Sequence, residues 1–413
     1  MRVQQLTLRG FRNIREQTLV PDKHLNFLLG ANGQGKTSFI EALGYLSTLR
    51  SFRGSKSHEV INWGENDSEI VSTLLDDSGD WKTELKVSFK ISPDRHKASK
   101  VAFINQKPYR SSTQFLTQRF GSYELGFHAI VFNPSDHDLV RGEPAIRRSY
   151  LDRVLAAEDV DYLKTLQKYQ RTLEQRNALL KTFPSPSREL VRGFTEPLAS
   201  YGSLLTLKRL EWIERLGFRL GDIMRRIAPS QRDLKLIYLS NWVPKIENLS
   251  IPNNNLGAIH FAGQQPLPSL EILEQAFWLR LSAVEEIEWR TGNSLVGPHR
   301  DDWSFLLGDQ VLKGHGSQGE VRSALLALKL SEIELFRNRT GHRPLFLLDD
   351  FSSELDRERR SFLLRFLSET DLQTFVTTTE EFSTMGKRYW VSNGCLAEGT
   401  NEHGIHGVQT NGP

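Results

Sequence analysis

Cysteine is almost missing from this 413-residue chain. Cys395 stands alone, so no internal disulfide can form, and a reducing cytoplasmic setting is expected. No run of about 18 apolar residues occurs, so neither a transmembrane helix nor a membrane partner is expected. The opening MRVQQLTLRGF alternates like a strand and has no apolar centre, so a signal peptide is not expected either. There is no internal repeat and nothing with the look of a nuclease metal cluster. Strong charge of one sign is lacking too: 53 Lys and Arg face 50 Asp and Glu. That balance does not decide for or against nucleic acid, because binding depends on where the charge lies. It is unevenly placed: from Lys90 to Arg119 seven basic residues face one acid, Asp94, and from Arg141 to Arg226 seventeen face eleven.

What is present suits a soluble protein of two or three domains, with 38% hydrophobic and 25% charged residues. Residues 3–8 and 24–29 read as strands, the second running into a glycine-rich turn. Residues 36–49 read as a helix, with Phe39, Ile40, Leu43, Leu46 and Leu49 at helical spacing. LKVSFKI (85–91) and KVAFINQKP (100–108) read as an antiparallel hairpin, and HAIVFNP (128–134) as a buried strand. From 159 to 226 the pattern is helical. Tyr162, Leu166, Tyr169, Leu173, Arg176 and Leu180 form one seam; PSPS (184–187) breaks it, and a second arm follows, interrupted at Pro197. Residues 241–268 read as loop with short strands, and 270–290 as a helix. Strands return in DDWSFLL, PLFLLDD, TFVTTT and RYWVSN, with a helix over 319–338 between the first two. The expected organisation is an α/β domain split by a mainly helical insert: 1–145 and 291–397 as its halves, 146–290 as the insert, and 398–413 as a disordered tail.

Two stretches carry the chemistry. GANGQGKT (Gly30, Ala31, Asn32, Gly33, Gln34, Gly35, Lys36, Thr37) satisfies G-x-x-x-x-G-K-[ST] between a strand and a helix. Together with Ser38 it predicts an ATP site. Backbone N–H groups would hold the phosphates, Lys36 would reach the β- and γ-phosphates, and Thr37 would ligate Mg²⁺. LFLLDD (345–350) predicts the partner strand, delivering Asp349 to Mg²⁺ and Asp350 to the attacking water, whose proton a carboxylate accepts. Helix capping by Asp350 is the lesser alternative beside a P-loop. A third stretch, GHGSQGEVRSALLALKLSEIELF (314–336), opens a long helix with a polar turn at Ser317. That turn fits a second anion site, contributed across a dimer. It fits equally well an ordinary capping box of Ser317 and Glu320.

The order of these elements resembles the ABC-type ATPase heads of the SMC class. Closer still is the resemblance to the RecF family of bacterial recombination mediators. It rests on LRGFRNI (8–14), GANGQGKT, SFR (51–53), NPSDHDLVRGEPAIRRSYLD (133–152), LVGPHRDD (295–302), GSQGEVR (316–322) and LLDDFSSELD (347–356). The resemblance implies an SMC-head-like P-loop ATPase fold. It places Ser317, Gln318, Gly319 and Glu320 in a signature turn that contacts the γ-phosphate across a dimer. Ser353, Glu354, Leu355 and Asp356 fall in a D-loop at the same interface. Thr377 to Thr379 stand where many such ATPases have a switch histidine, and Asp350 stands where Glu is commoner. Both departures imply slow hydrolysis, and the resemblance implies that DNA stimulates it. Glu320 replaces a frequent Gln and adds negative charge near a phosphate site. The Q-loop residue is left open within Asn133 to Asp136, and His299 and Arg300 are given no role. For DNA the resemblance favours Arg95, His96, Lys97 and Lys100, with Arg147, Arg148 and Arg153.

The implied function is an ATP-dependent homodimer that binds duplex DNA near single-strand gaps. It would help RecR and RecO load RecA in gap repair and SOS induction. Three other readings are weighed against it. An SMC-like chromosome tether would need long arms, and the first arm here spans only about 30 Å. An ABC subunit energising a membrane partner is disfavoured by the insertion point and the basic helical arm. A small-molecule kinase would have no use for the Ser317 turn.

Overall fold

Both ends of the chain contribute strands to one parallel sheet, and that sheet carries the glycine loop. The computed structural model describes residues 1–76, 81–92, 97–119, 126–182, 186–229, 231–244, 259–260, 266–351, 356–382 and 384–399. They form two compact units, Met1–Pro134 with His342–Pro413, and Ser135–Gly341.

The first unit has two sheets. One is antiparallel, in the order β2 (Ile14–Leu19), β1 (Arg2–Phe11), β4 (Asp67–Leu75), β5 (Lys82–Ile91), β6 (Ala98–Ile104), β7 (Lys107–Tyr109). Strand β4 alternates buried and partly exposed residues, as a strand with one covered face does. The other sheet runs β16 (Cys395–Glu398), β15 (Lys387–Ser392), β3 (Leu25–Leu29), β14 (Thr374–Thr378), β13 (Leu345–Leu348), β8 (Ala129–Phe132). It is parallel except for β16. Every residue of β3, β13 and β14 is buried; β13 is a wholly apolar run, β3 is apolar apart from Asn26, and β14 sets Phe375 and Val376 among buried threonines. Helix α1 (Lys36–Thr48) packs against strands of both sheets and is buried nearly all round. Its Phe39, Ile40 and Leu43 join Leu8, Phe11, Val87, Leu347 and Phe375 in one core. A short helix, α2 (Ser112–Leu116), follows β7, and α10 (Arg357–Glu369) links β13 to β14.

The expected strand over 100–108 is in fact two. Asn105 and Gln106 take positive φ, and the chain turns tightly between β6 and β7.

The second unit contains α3 (Asp138–Arg141), α4 (Pro144–Glu158), α5 (Val160–Leu180), α6 (Arg188–Ile227), α7 (Leu270–Thr291), α8 (Leu312–His315) and α9 (Gln318–Thr340). It also has its own sheet, ordered β10 (Ile259–His260), β9 (Leu234–Ser240), β11 (Asp302–Leu307), β12 (Gln310–Val311). Helix α6 packs on α5, α7, α9 and β9.

Four expectations change here. The units divide at 134/135 and 341/342, not at 145/146 and 290/291, because β11 pairs with β9 and α9 packs on α6. Pro197 does not interrupt the second arm: α6 is one helix of 40 residues. The proline removes one N–H, and Gly193, whose carbonyl would have accepted it, is exposed to water. The second arm is therefore about 60 Å long, twice the first. In α5 the seam narrows to Tyr162, Tyr169, Arg176 and Leu180, while Leu166 and Leu173 are half-buried. The expected tail begins inside β16, which ends at Glu398; residues 400–413 lie outside the described residues.

Candidate functional site

The loop between β3 and α1 needs its glycines. Gly30 has φ 152°, and a Cβ there would stand 2.3 Å from the Val391 carbonyl oxygen. Gly35 has φ 106°, and a Cβ would stand 2.6 Å from the Asn13 side chain. Both contacts are closer than any side chain tolerates. Lys36 opens α1 and bends back over the loop, its Nζ donating to the carbonyls of Gly30 (2.7 Å) and Ala31 (2.8 Å). Burial lowers the Lys36 pKa, and attraction from Asp350 and then Asp349 opposes that.

Across 312 positions of sequence, Thr37 Oγ1 donates to Asp349 Oδ1 at 2.8 Å. Asp349 closes β13 and is buried. Burial pushes its carboxyl up, against the hydroxyls of Thr377 and Thr37. Thr377, on β14 beside β13, donates to the same Oδ1 at 2.8 Å and accepts the backbone N–H of Asp350, also at 2.8 Å. Asp350 has φ 56°, a left-handed conformation that Asp tolerates better than most residues. One threonine hydroxyl thus fixes both members of the acidic pair, at the position where the resemblance looks for a switch residue.

The donor set suits a hard cation. A hydroxyl and a carboxylate lie side by side next to the glycine loop, and Mg²⁺ is held by one or two carboxylates plus phosphates. No group of three or more His, Cys, Asp or Glu that could hold a metal is found among the described residues.

Several supports of the loop escaped the reading of the sequence. Gln34 is held from two sides. Its carbonyl accepts from Asn13 Nδ2 (3.1 Å) and the Gly394 N–H (2.8 Å), and its Oε1 accepts from the Asn393 N–H (2.7 Å). Asn13 also accepts from Ser38 Oγ at 3.1 Å. Behind the loop, Glu41 of α1 is fully buried. Its carboxylate is paired with Arg12, accepts from Ser51 Oγ at 2.5 Å and lies 3.6 Å from Arg53. Arg12 donates onward to Ser55 Oγ (2.7 Å) and the Glu59 carbonyl (2.9 Å).

In the second unit Ser317 is the N-cap of α9. The capping box is formed: Glu320 N–H donates to Ser317 Oγ (3.2 Å), and the Ser317 N–H donates to Glu320 Oε2 (2.8 Å). Ser317 and Gln318 are exposed, and Gly319 is half-buried. Of the D-loop residues, Asp356 caps α10 through the Arg359 N–H at 2.9 Å. Ser353, Glu354 and Leu355 lie outside the described residues. In the open Q-loop segment, Asn133 is buried and Asp136 pairs with Lys329 at 3.2 Å.

The residues favoured for DNA divide sharply. Arg147 is only 3% exposed, and both arms of its guanidinium grip Asp302 at 2.7 Å, so it is internal. Lys100 donates to the Leu49 carbonyl (2.5 Å) and lies over the Tyr45 ring; it serves the core. Arg148 is half-buried and donates to the Asp301 carbonyl at 3.0 Å. Lys97 and Arg153 are exposed, while Arg95 and His96 lie outside the described residues. His299 and Arg300, which had no role, join a polar network: His299 is half-buried and Arg300 exposed at its edge. Tyr169 donates to His299 Nδ1 (2.5 Å), and His299 Nε2 and Arg300 Nε both donate to the Ser294 carbonyl at 3.0 and 3.2 Å. Arg176 binds Glu288 (2.6 Å) and Ser294 (2.6 Å), and Arg209 binds Asp152 (2.7 Å) and the Pro298 carbonyl (2.7 Å). The segments 133–152 and 295–302 are therefore stitched to the helices of this unit. Among the described residues no helix is long and apolar enough to cross a membrane.

Residues 2–392 match the family model for the RecF/RecN/SMC N-terminal domain. Two curated relatives named DNA replication and repair protein RecF align along most of their length. That of Geotalea daltonii is 32% identical over 379 residues, and that of Geobacter metallireducens 35% over 380; each alignment covers 92% of this chain and 93% of the relative. A solved structure described as the recombination mediator protein RecF with ATP in the RecFOR pathway superposes with a TM-score of 0.79 at 27% identity, covering 96% of this chain and 97% of that one. The strand–glycine loop–helix with its paired aspartates and these matches agree: the chain belongs to the RecF/RecN/SMC N-terminal domain family, and within it to the RecF proteins.

Proposed function

We propose that the protein is a slow, Mg²⁺-dependent ATPase that dimerises on ATP, binds duplex DNA near single-strand gaps and acts as a recombination mediator. The observation that carries the ATP site is the 2.8 Å contact between Thr37 and Asp349, which joins the glycine loop to the acidic pair. In this reading Lys36 leaves the Gly30 and Ala31 carbonyls for the terminal phosphates. Thr37 and Asp349 hold Mg²⁺, which supplies charge neutralisation to the phosphates. Asp350, fixed by Thr377, orients and deprotonates the attacking water. A shorter side chain than Glu at that position supports slow turnover.

Ser317 is exposed at the positive end of a 23-residue helix, where the capping box holds the turn in shape. That supports a trans contact, in which the turn of one protomer meets the γ-phosphate held by the other. Gln318, Gly319, Glu320, Ser353 and Asp356 belong to the same interface. The names of the relatives support DNA replication and repair as the setting and, through the RecFOR pathway, RecR and RecO as partners; loading of RecA and SOS induction complete the proposal. They support a cytoplasmic location as well.

Lys36→Ala tests the gate. With fluorescent gapped duplex, anisotropy should rise on ATP addition for the native protein and stay flat for the variant. A variant that still responds to ATP contradicts the reading.

A further inference from the structure

Glu320 places a carboxylate on the turn that the proposed function turns toward a phosphate. The Ser317 N–H and hydroxyl hold it below the usual carboxylate range, so it is charged at neutral pH. A bare negative charge there opposes a γ-phosphate. The same unit supplies a counter-charge from a distant part of the sequence. Arg232, just before β9, points one Nη at Glu320 Oε1 (3.4 Å) and the other at Gln310 Oε1 (3.3 Å). Its stem runs beside Gly308, whose φ is +60° and where a Cβ would stand 3.2 Å from Arg232 Cδ. Gly308 in turn donates its N–H to the Asp233 carbonyl at 2.8 Å. The β11–β12 turn thus leaves a lane for this arginine, and Gln310 steers its fork. Glu320 then uses one oxygen for Arg232 and the other for the Ser317 N–H, so the pair both neutralises the turn and fixes its shape.

We infer that Arg232 is a positioning residue of the Ser317 turn: it cancels the Glu320 charge so that the turn can accept the terminal phosphate of a nucleotide held by a second copy of the chain. This rests on the trans contact proposed above. Arg232 touches no nucleotide; it acts through Glu320. An exposed ion pair adds little to folding stability, so its effect is expected on the encounter with phosphate rather than on the fold.

The test is a double-substitution cycle on the full chain. Steady-state ATP hydrolysis is measured as a function of protein concentration for the native protein, Arg232→Ala, Glu320→Gln and the pair. Nucleotide affinity is measured separately at dilution. Arg232→Ala should lower kcat by about tenfold, a like-charge effect at short range, with ATP affinity at dilution unchanged. Gln keeps an oxygen for the Ser317 N–H but carries no charge. In the Glu320→Gln background, Arg232→Ala should therefore change kcat by less than about twofold. An unchanged rate in Arg232→Ala overturns the inference, and so does an equal loss in both backgrounds. If native turnover per molecule is independent of protein concentration, the trans contact itself fails and the inference falls with it. Concentration-dependent turnover with no rescue leaves the trans contact standing and removes only the role of Arg232.

Discussion

Thr377→Val keeps shape and removes one hydroxyl. That hydroxyl donates to Asp349 Oδ1 and accepts the Asp350 N–H, each at 2.8 Å, in a side chain only 1% exposed. A hydrogen bond to a charged group is worth about 1.5–3 kcal/mol, and an orphaned buried N–H costs about 1–3 kcal/mol. Thr37 still donates to Asp349, so the loss is partial, and about 3 kcal/mol is a fair total. Its effect should fall on the acidic pair. Burial already pushes the Asp349 carboxyl up, and losing Thr377 raises it further. Mg²⁺ needs the ionised form, so the acid limb of ATP turnover should move to higher pH. The Mg²⁺ concentration for half-maximal rate should rise by at least about tenfold, equivalent to 1.4 kcal/mol. The assay is steady-state hydrolysis against Mg²⁺ and pH for the native protein, Thr377→Val and Thr377→Ser. Ser restores the hydroxyl and should restore both curves. A valine variant with native Mg²⁺ and pH dependence, or a serine variant no better than valine, would refute the role given to Thr377.

Two further outcomes can be checked directly. Asp350→Asn should accumulate an ATP-bound dimer visible by light scattering, because capture is kept while water activation is lost; a monomer at saturating ATP counts against the assignment. In the second unit, burial pushes the His299 ring down to about 4. The folded protein then binds fewer protons than the unfolded chain between about pH 4 and 6.5, so His299 should withdraw stability as the pH falls through that window, on the order of 2 kcal/mol between pH 7 and 5. Asp301, pushed up to about 6, works in the opposite sense, its contribution falling as pH rises from the ordinary carboxylate range to about 6. Urea midpoints of the native protein and His299→Asn should therefore converge or cross between pH 7 and 5. A constant gap would exclude the ring.

The parallel sheet was legible because it is buried on both faces: β3 and β13 show as mainly apolar runs that end at the glycine loop and the acidic pair. The loop itself was legible because phosphate binding demands glycine at fixed offsets. Its supports were not. Arg12 and Glu41 are 29 positions apart with no periodic signal, and only the packing of α1 beneath the β1–β2 turn brings them together. The Asn393–Gly394 turn did carry a signal: Asn-Gly between two apolar runs announces a hairpin, β15–β16, whose turn holds Gln34. The resemblance misled for Arg147 and Lys100, since sequence alone does not tell a solvated cation from one that pairs internally or covers an aromatic ring. The domain boundaries were missed because β9 was not read as a strand, so β11 had no visible partner outside the ATPase sheet.

The central claim is that one nucleotide is completed by two copies of the chain. Sedimentation velocity with and without a non-hydrolysable ATP analogue tests it most directly. A shift from monomer to dimer that Ser317→Arg abolishes, with nucleotide still bound, is the predicted result. A monomer that hydrolyses ATP at full rate at every dilution would contradict it.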